Sequence, residues 1–135
     1  NMARVGIREK PLTRFGSQVK CYMNDPRIQA QAQKDGTTRA KTAVDMAAAE
    51  MAEGIYVIGN APTALLRLIE LIRAQKAHPA LIVGLPVGFV NAAESKAALM
   101  QMDTPYISNI GRKGGSNLAA SVVNALALLA GEHNA

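Results

Sequence analysis

From Ile55 onward the chain repeats one phrase three times. IYVIGNAPTALLRLIELI (55–72), ALIVGLPVGFVNAAESKAALM (80–100) and YISNIGRKGGSNLAASVVNALALLA (106–130) each pass from a short apolar run, through a Gly-bearing loop, into a helical pattern. Strands that alternate with helices need crossover connections, which favour neighbouring strands running in parallel. The expected fold class is therefore α/β, a mainly parallel sheet with helices on both faces. The runs IYVIG and ALIVG are continuously apolar rather than alternating, as strands covered on both sides should be.

Upstream, TTRAKTAVDMAAAEMA predicts a helix from about Thr38 to Ala52, ended by Gly54. NDPRIQAQAQKDG predicts a shorter one, entered through the Asp25-Pro26 turn and closed by Gly36. SQVKCYM has the alternation of a strand, and residues 1–17 carry no clear period. At 135 residues this is a single α/β domain, residues 1–135, long enough to bury roughly two-thirds of its unfolded surface.

The single cysteine, Cys21, excludes an internal disulfide and is read as a small buried hydrophobe. With one cysteine and two histidines as widely separated as Cys21, His78 and His133, no zinc site can be assembled, and no metal is expected. The longest uncharged stretch, Gly114 to Gly131, is interrupted by Ser116, Asn117, Ser121 and Asn124, which hydrocarbon would leave unsatisfied; a buried helix is expected, not a membrane span. A cytoplasmic location is the expectation. The net charge of +5 is uneven, since residues 1–41 hold nine Lys/Arg against three Asp/Glu. Those cations are scattered, with Phe15 and Tyr22 the only aromatics among them, so a small polyanionic ligand fits better than nucleic acid.

In an open parallel sheet ligands bind where loops leave the carboxyl ends of the strands. Gly59–Pro62, Gly84–Phe89 and Gly111–Gly115 should therefore gather along one edge, each leading into a helix N-terminus that favours anions. GRKGGS adds Arg112 and Lys113, but it is not a Walker loop, and none of the loops is GxGxxG, so a nucleotide has little support. Lys96 lies on a helix, where a solvated lysine is the plain expectation. Tyr106 is assigned to the core. Arg39 stands in the first turn of a helix, against the dipole, a placement that points to function. No nucleophile–base pair is visible: His78 precedes Pro79 at a helix end, and His133 is close to the C-terminus. Asn117, Ser121 and Asn124 form a polar stripe at i, i+4, i+7, either a solvent strip or a hydrogen-bonded seam.

Taken together, NMARVGI, GTTRAK, IGNAPTALLRL, PALIVGLPVGFVNAAESK and PYISNIGRKGGSNLAASVVNALA closely resemble the precorrin-8X methylmutase (cobalt-precorrin-8 methylmutase) family. The resemblance implies an isomerase of cobalamin biosynthesis that moves a methyl group from C-11 to C-12 of a corrin precursor, giving hydrogenobyrinate or, with cobalt inserted, cobyrinate. It implies an α/β homodimer with no separate cofactor, acting on a tetrapyrrole, with neither nucleic acid nor membrane as partner. By motif position it makes Arg39 a carboxylate clamp and Thr38, Asn60, Gly88, Phe89, Lys96 and Arg112 substrate-binding residues. It also implies that the family's proton-donating histidine lies in an N-terminal segment ahead of this sequence, because neither His78 nor His133 falls in that motif. A non-catalytic corrinoid-binding or interaction domain is the alternative.

Overall fold

The computed structural model describes residues 6–133, leaving Asn1–Val5 of the NMARVGI motif and the side chain of His133 outside the description. Three strands, β1 (Ile55–Ile58), β2 (Leu81–Gly84) and β3 (Tyr106–Ser108), form one parallel sheet in the order β1-β2-β3. The register pairs Val57 with Val83 and Val83 with Ile107. Six α-helices accompany it among the described residues: α1 (Glu9–Thr13), α2 (Pro26–Asp35), α3 (Arg39–Glu50), α4 (Pro62–Arg73), α5 (Ala92–Leu99) and α6 (Ser116–His133). Helices α4 and α5 are the two crossovers, so the repeated phrase is the sheet itself.

The period of two along each strand divides the core. Tyr56, Ile58 and Ile82 face α3, α4 and α5, where they meet Val44, Leu65, Leu68 and Leu99. Val57, Leu81 and Val83 face the other way, onto Ile7 and the Ala119, Ala120 and Val123 surface of α6. Both faces are thus covered, as expected of a parallel sheet. The covering is deepest for β2, where Ile82, Val83 and Gly84 are buried and Leu81 is half-buried; Ile55 on β1 and Tyr106 on β3 are exposed because both strands are edges. Tyr106 is accordingly not a core residue.

Local chemistry sets the helix boundaries. The Asp25 carboxylate accepts from the Arg27 backbone N–H, Pro26 opens α2, and Gly36 closes it at φ 64°, as the N-terminal proline and C-terminal glycine rules require. Helix α3 ends earlier than its alanines suggest, at Glu50, and Glu53 rather than Gly54 takes the left-handed conformation. The Glu53 N–H donates to the His78 carbonyl, which holds that turn against the chain leading into β2.

Two expectations fail in the segment before α2. SQVKCYM is not a strand: residues 17–21 lack ladder pairing and Tyr22–Asn24 is a 3₁₀ turn. A strand is made by a neighbour as much as by its own alternation, and among the described residues nothing pairs with the outer edge of β1. Cys21 is exposed rather than buried for the same reason.

Candidate functional site

All three Gly-bearing loops leave the same edge of the sheet, and backbone hydrogen bonds knit them together. The Leu85 N–H donates to Ile58 O at 2.8 Å, Gly115 N–H to Leu85 O at 2.9 Å, and Gly88 N–H to Arg112 O at 3.1 Å. A longer contact runs from Val87 N–H to Asn60 O at 3.4 Å. Glycine is needed where these backbones touch. A Cβ on Gly59 would stand 2.7 Å from Ser116 Cα, and one on Gly114 would strike the carbonyl oxygens of Leu85 and Pro86. The rim is therefore built by backbone meeting backbone, which side chains can neither bridge nor relax.

On that frame the rim presents apolar side chains and cations. Phe89 is 85% exposed and Ile110 89%, with Val87 and Val90 also exposed. The Arg112 guanidinium lies 4.8 Å from the Phe89 ring centroid, a cation–π distance, so Arg112 stands beside an aromatic face instead of extending freely into water. Gly88, which precedes Phe89, has φ 141°, a conformation open to glycine and strained for other residues. Asn91 leads into α5 in the left-handed region, at φ 66°.

Asn60 links the rim to a cleft of about 530 Å³ lying along the open edge of β1. Ala40 and Ala43 of α3 line one side of that cleft, and Tyr22, Ala61 and Ser116 help close it. Its size suits a small-molecule site, which typically holds about 300–1,000 Å³. Helix α3 meets β1 through Tyr56, whose hydroxyl donates to Ala47 O at 3.2 Å and to Met51 O at 2.7 Å, and Ala40 in its first turn lines the same cleft as Asn60. Thr38 and Arg39 do not line the cleft but directly precede Ala40, which does, and they have different roles. The Thr38 hydroxyl accepts from the Lys41 N–H at 3.2 Å as the N-cap of α3, and its visible work is structural. Arg39 is exposed and has no hydrogen-bonding or ion-pair partner among the described residues.

Lys96 departs furthest from expectation. It does not face the rim as a ligand-binding lysine would: the residue is 0% exposed. Its Nζ donates to Asn109 Oδ1 at 2.9 Å and to Lys113 O at 2.6 Å. Burial holds its pKa below the ordinary lysine value, because desolvation disfavours the charged form. Asn109 and Ser108 were missed in the sequence, and both brace the rim. The Asn109 Nδ2 donates to Lys113 O at 3.0 Å, and the Ser108 hydroxyl donates to Gly84 O at 2.6 Å. One signal was available: an asparagine follows the end of β3 much as Asn60 follows β1.

The histidines are elsewhere. His78 precedes β2 at the opposite edge of the sheet. His133 ends α6, whose first residue is at the rim; 18 helical residues carry the chain about 25 Å away. The polar stripe on α6 resolves into separate tasks. Asn124 accepts from Arg8 N–H and donates to Gly6 O, both at 2.9 Å, while the Ser121 hydroxyl bonds within its own helix. No group of His, Cys, Asp and Glu able to hold a metal ion occurs among the described residues, and none of their helices is long and apolar enough to cross a membrane.

Comparison with known proteins gives a consistent result. The model of a family described as precorrin-8X methylmutase matches residues 1–129. A cobalt-precorrin-8 methylmutase from Priestia megaterium is 46% identical over 129 residues, covering 96% of this chain and 57% of that protein. One from Salmonella typhimurium is 49% identical over 126 residues, covering 93% of this chain and 58% of that protein. This chain thus spans less than two-thirds of the length of these curated relatives. A solved precorrin-8X methylmutase from Thermus thermophilus superposes with a TM-score of 0.87 at 40% identity, covering 100% of this chain and 66% of that one.

Proposed function

This chain belongs to the precorrin-8X methylmutase family, and from that premise we propose that it forms the rim and cleft of an isomerase of cobalamin biosynthesis. The reaction would move a methyl group from C-11 to C-12 of precorrin-8X, or of its cobalt form. What carries the proposal is the family match over residues 1–129, a stretch that includes every rim loop. The chemistry of the rim agrees with it. A corrin precursor is a broad apolar ring fringed with carboxylates, and the rim offers Val87, Phe89, Val90 and Ile110 beside Arg112 and Lys113.

In this reading Phe89 and its apolar neighbours pack against the macrocycle, and the cations at its margin hold the carboxylates. Arg112, already oriented against the Phe89 ring, would meet one carboxylate. Arg39, with its planar fork, would clamp another. Among the described residues neither histidine is part of the rim loops, so the proton that promotes the shift is proposed to come from a group outside those loops.

The same reading carries a homodimer, for which the exposed Leu118, Leu128 and Leu129 along α6 supply an apolar face, and a cytoplasmic location. Sedimentation velocity tests the first and cell fractionation the second.

The deciding experiment is a visible-absorbance titration with hydrogenobyrinate, the product of the cobalt-free reaction. Saturable binding with a spectral shift, weakened in Arg39→Ala and Arg112→Ala, is expected. An absorbance that stays linear in added corrin up to millimolar protein would refute the proposal.

A further inference from the structure

A buried lysine without a counter-ion calls for an explanation, because removing an ammonium from water is costly unless its protons are well satisfied. Lys96 is the largest of the fully buried side chains, and no carboxylate lies within ion-pair distance of it among the described residues. Its two partners are not ligand-facing groups but the two ends of one loop, residues 109–113. Asn109 Oδ1 accepts from the ammonium at the start of the loop and the Lys113 carbonyl accepts at its end. The Asn109 amide closes the ring by donating to the same carbonyl. Between these fixed ends lie Ile110, Gly111 and Arg112, which make no further hydrogen bond with α5.

We propose that Lys96 is a positioning residue, a clamp on the neck of the 109–113 loop that presents Ile110 and Arg112 at the rim. Without it the Lys113 carbonyl keeps only the Asn109 amide, and the loop loses the link to α5 that fixes its height above the sheet. The Gly88 N–H bond to Arg112 O and the Arg112–Phe89 contact depend on that height, so the clamp also sets the spacing between the two halves of the rim. The ligand side of this inference rests on the corrin reading above; the clamp itself does not.

The loop carries its own reporter, since Arg112 and Lys113 are both trypsin sites. The test compares Lys96→Met, Asn109→Ala and the double variant by three measurements: thermal unfolding, the rate of trypsin cleavage after residues 112 and 113 below the melting range, and hydrogenobyrinate affinity. Losing a charge-assisted hydrogen bond should release the loop about tenfold more often. Each single variant should therefore be cut about tenfold faster than wild type. Each should also bind the corrin about tenfold more weakly, with the double variant no worse than either, because both act through one loop. Wild-type cleavage rates in both single variants would overturn the proposal, as would affinity losses that multiply in the double variant, the behaviour of two independent ligand contacts. If Lys96→Met does not fold, Asn109→Ala decides by the same cleavage criterion. If wild type itself does not bind hydrogenobyrinate, the functional reading fails while the cleavage rates still decide the clamp.

Discussion

Replacing Gly114 with alanine should damage this protein more than adding one methyl group usually does, and the structure says why. The new Cβ would lie 2.7 Å from Pro86 O and closer still to Leu85 O, where ordinary contacts begin near 3.4 Å. Both obstacles are backbone, and the nearer one, Leu85 O, requires the rim to retreat by about 1 Å. That retreat strains the Gly115 N–H bond to Leu85 O, now 2.9 Å. Overpacking of this kind costs about 1–3 kcal/mol and the strained hydrogen bond about 1 more. The expected loss of about 2–4 kcal/mol is a large part of the roughly 5–15 kcal/mol that holds a domain together. Urea unfolding followed by circular dichroism measures it, with a fall of about 10 °C in Tm as the thermal counterpart. Gly54→Ala is the control: its Cβ would crowd only the mobile end of Met51, at 3.2 Å, and would touch the Met51 Cβ and carbonyl oxygen at ordinary distances of 3.8 and 3.9 Å, so it should stay within about 0.5 kcal/mol of wild type. Equal stabilities for Gly114→Ala and Gly54→Ala would refute the idea of a rim set by backbone contact.

Tyr22 bears on alkaline stability. Burial, helped by the Glu50 carboxylate, raises its hydroxyl from 10.0 to about 12, and that buried oxygen has no hydrogen-bond partner among the described residues. The folded state holds the proton more tightly than the unfolded one, so this contribution is intact below pH 10 and lost as pH rises toward about 12. Tyr22→Phe should be at least as stable as wild type at pH 8, with an advantage that grows by pH 11; parallel losses of urea midpoint in the two proteins would contradict this. Asn124→Ala removes both hydrogen bonds that tie Gly6 and Arg8 to α6, and should cost about 1–2 kcal/mol with faster trypsin cleavage after Arg8. Phe89→Ala, at an 85% exposed position, should change stability by no more than about 0.5 kcal/mol yet weaken corrin binding; a large drop in Tm would place Phe89 in the core instead.

The sheet was legible because its information is local. Each strand, loop and helix of the repeated phrase can be read within some twenty residues, and parallel pairing follows from the alternation. SQVKCYM was misread because its alternation is also local while strand pairing is not: the segment lies beside β1 without joining it. Cys21 and Tyr106 failed with the same missing information, namely which strands are edges. At the end of α3, glycine signalled a stop that the chain makes earlier, where the Glu53–His78 contact, 25 residues apart in sequence, holds the turn.

At the site, topology alone was enough to bring the three loops together, and Gly88, Phe89 and Arg112 do meet there. Their chemistry was harder to assign because a residue type does not reveal which way it faces. Lysine is almost never fully buried unless paired, so nothing in ESK distinguishes a cation waiting for a carboxylate from one bonded to its own loop. Thr38 before a helix carries an equally double meaning, ligand or cap. The glycines were ambiguous in another way, since close backbone approach can serve a ligand or a neighbouring loop; at Gly59 and Gly114 it serves the loop. This divides the labour at the rim. Glycine, Lys96 and Asn109 fix where the loops stand, and the exposed Phe89, Ile110 and Arg112 meet whatever arrives. Residues of the first kind should couple binding to stability when changed, whereas those of the second should alter binding alone.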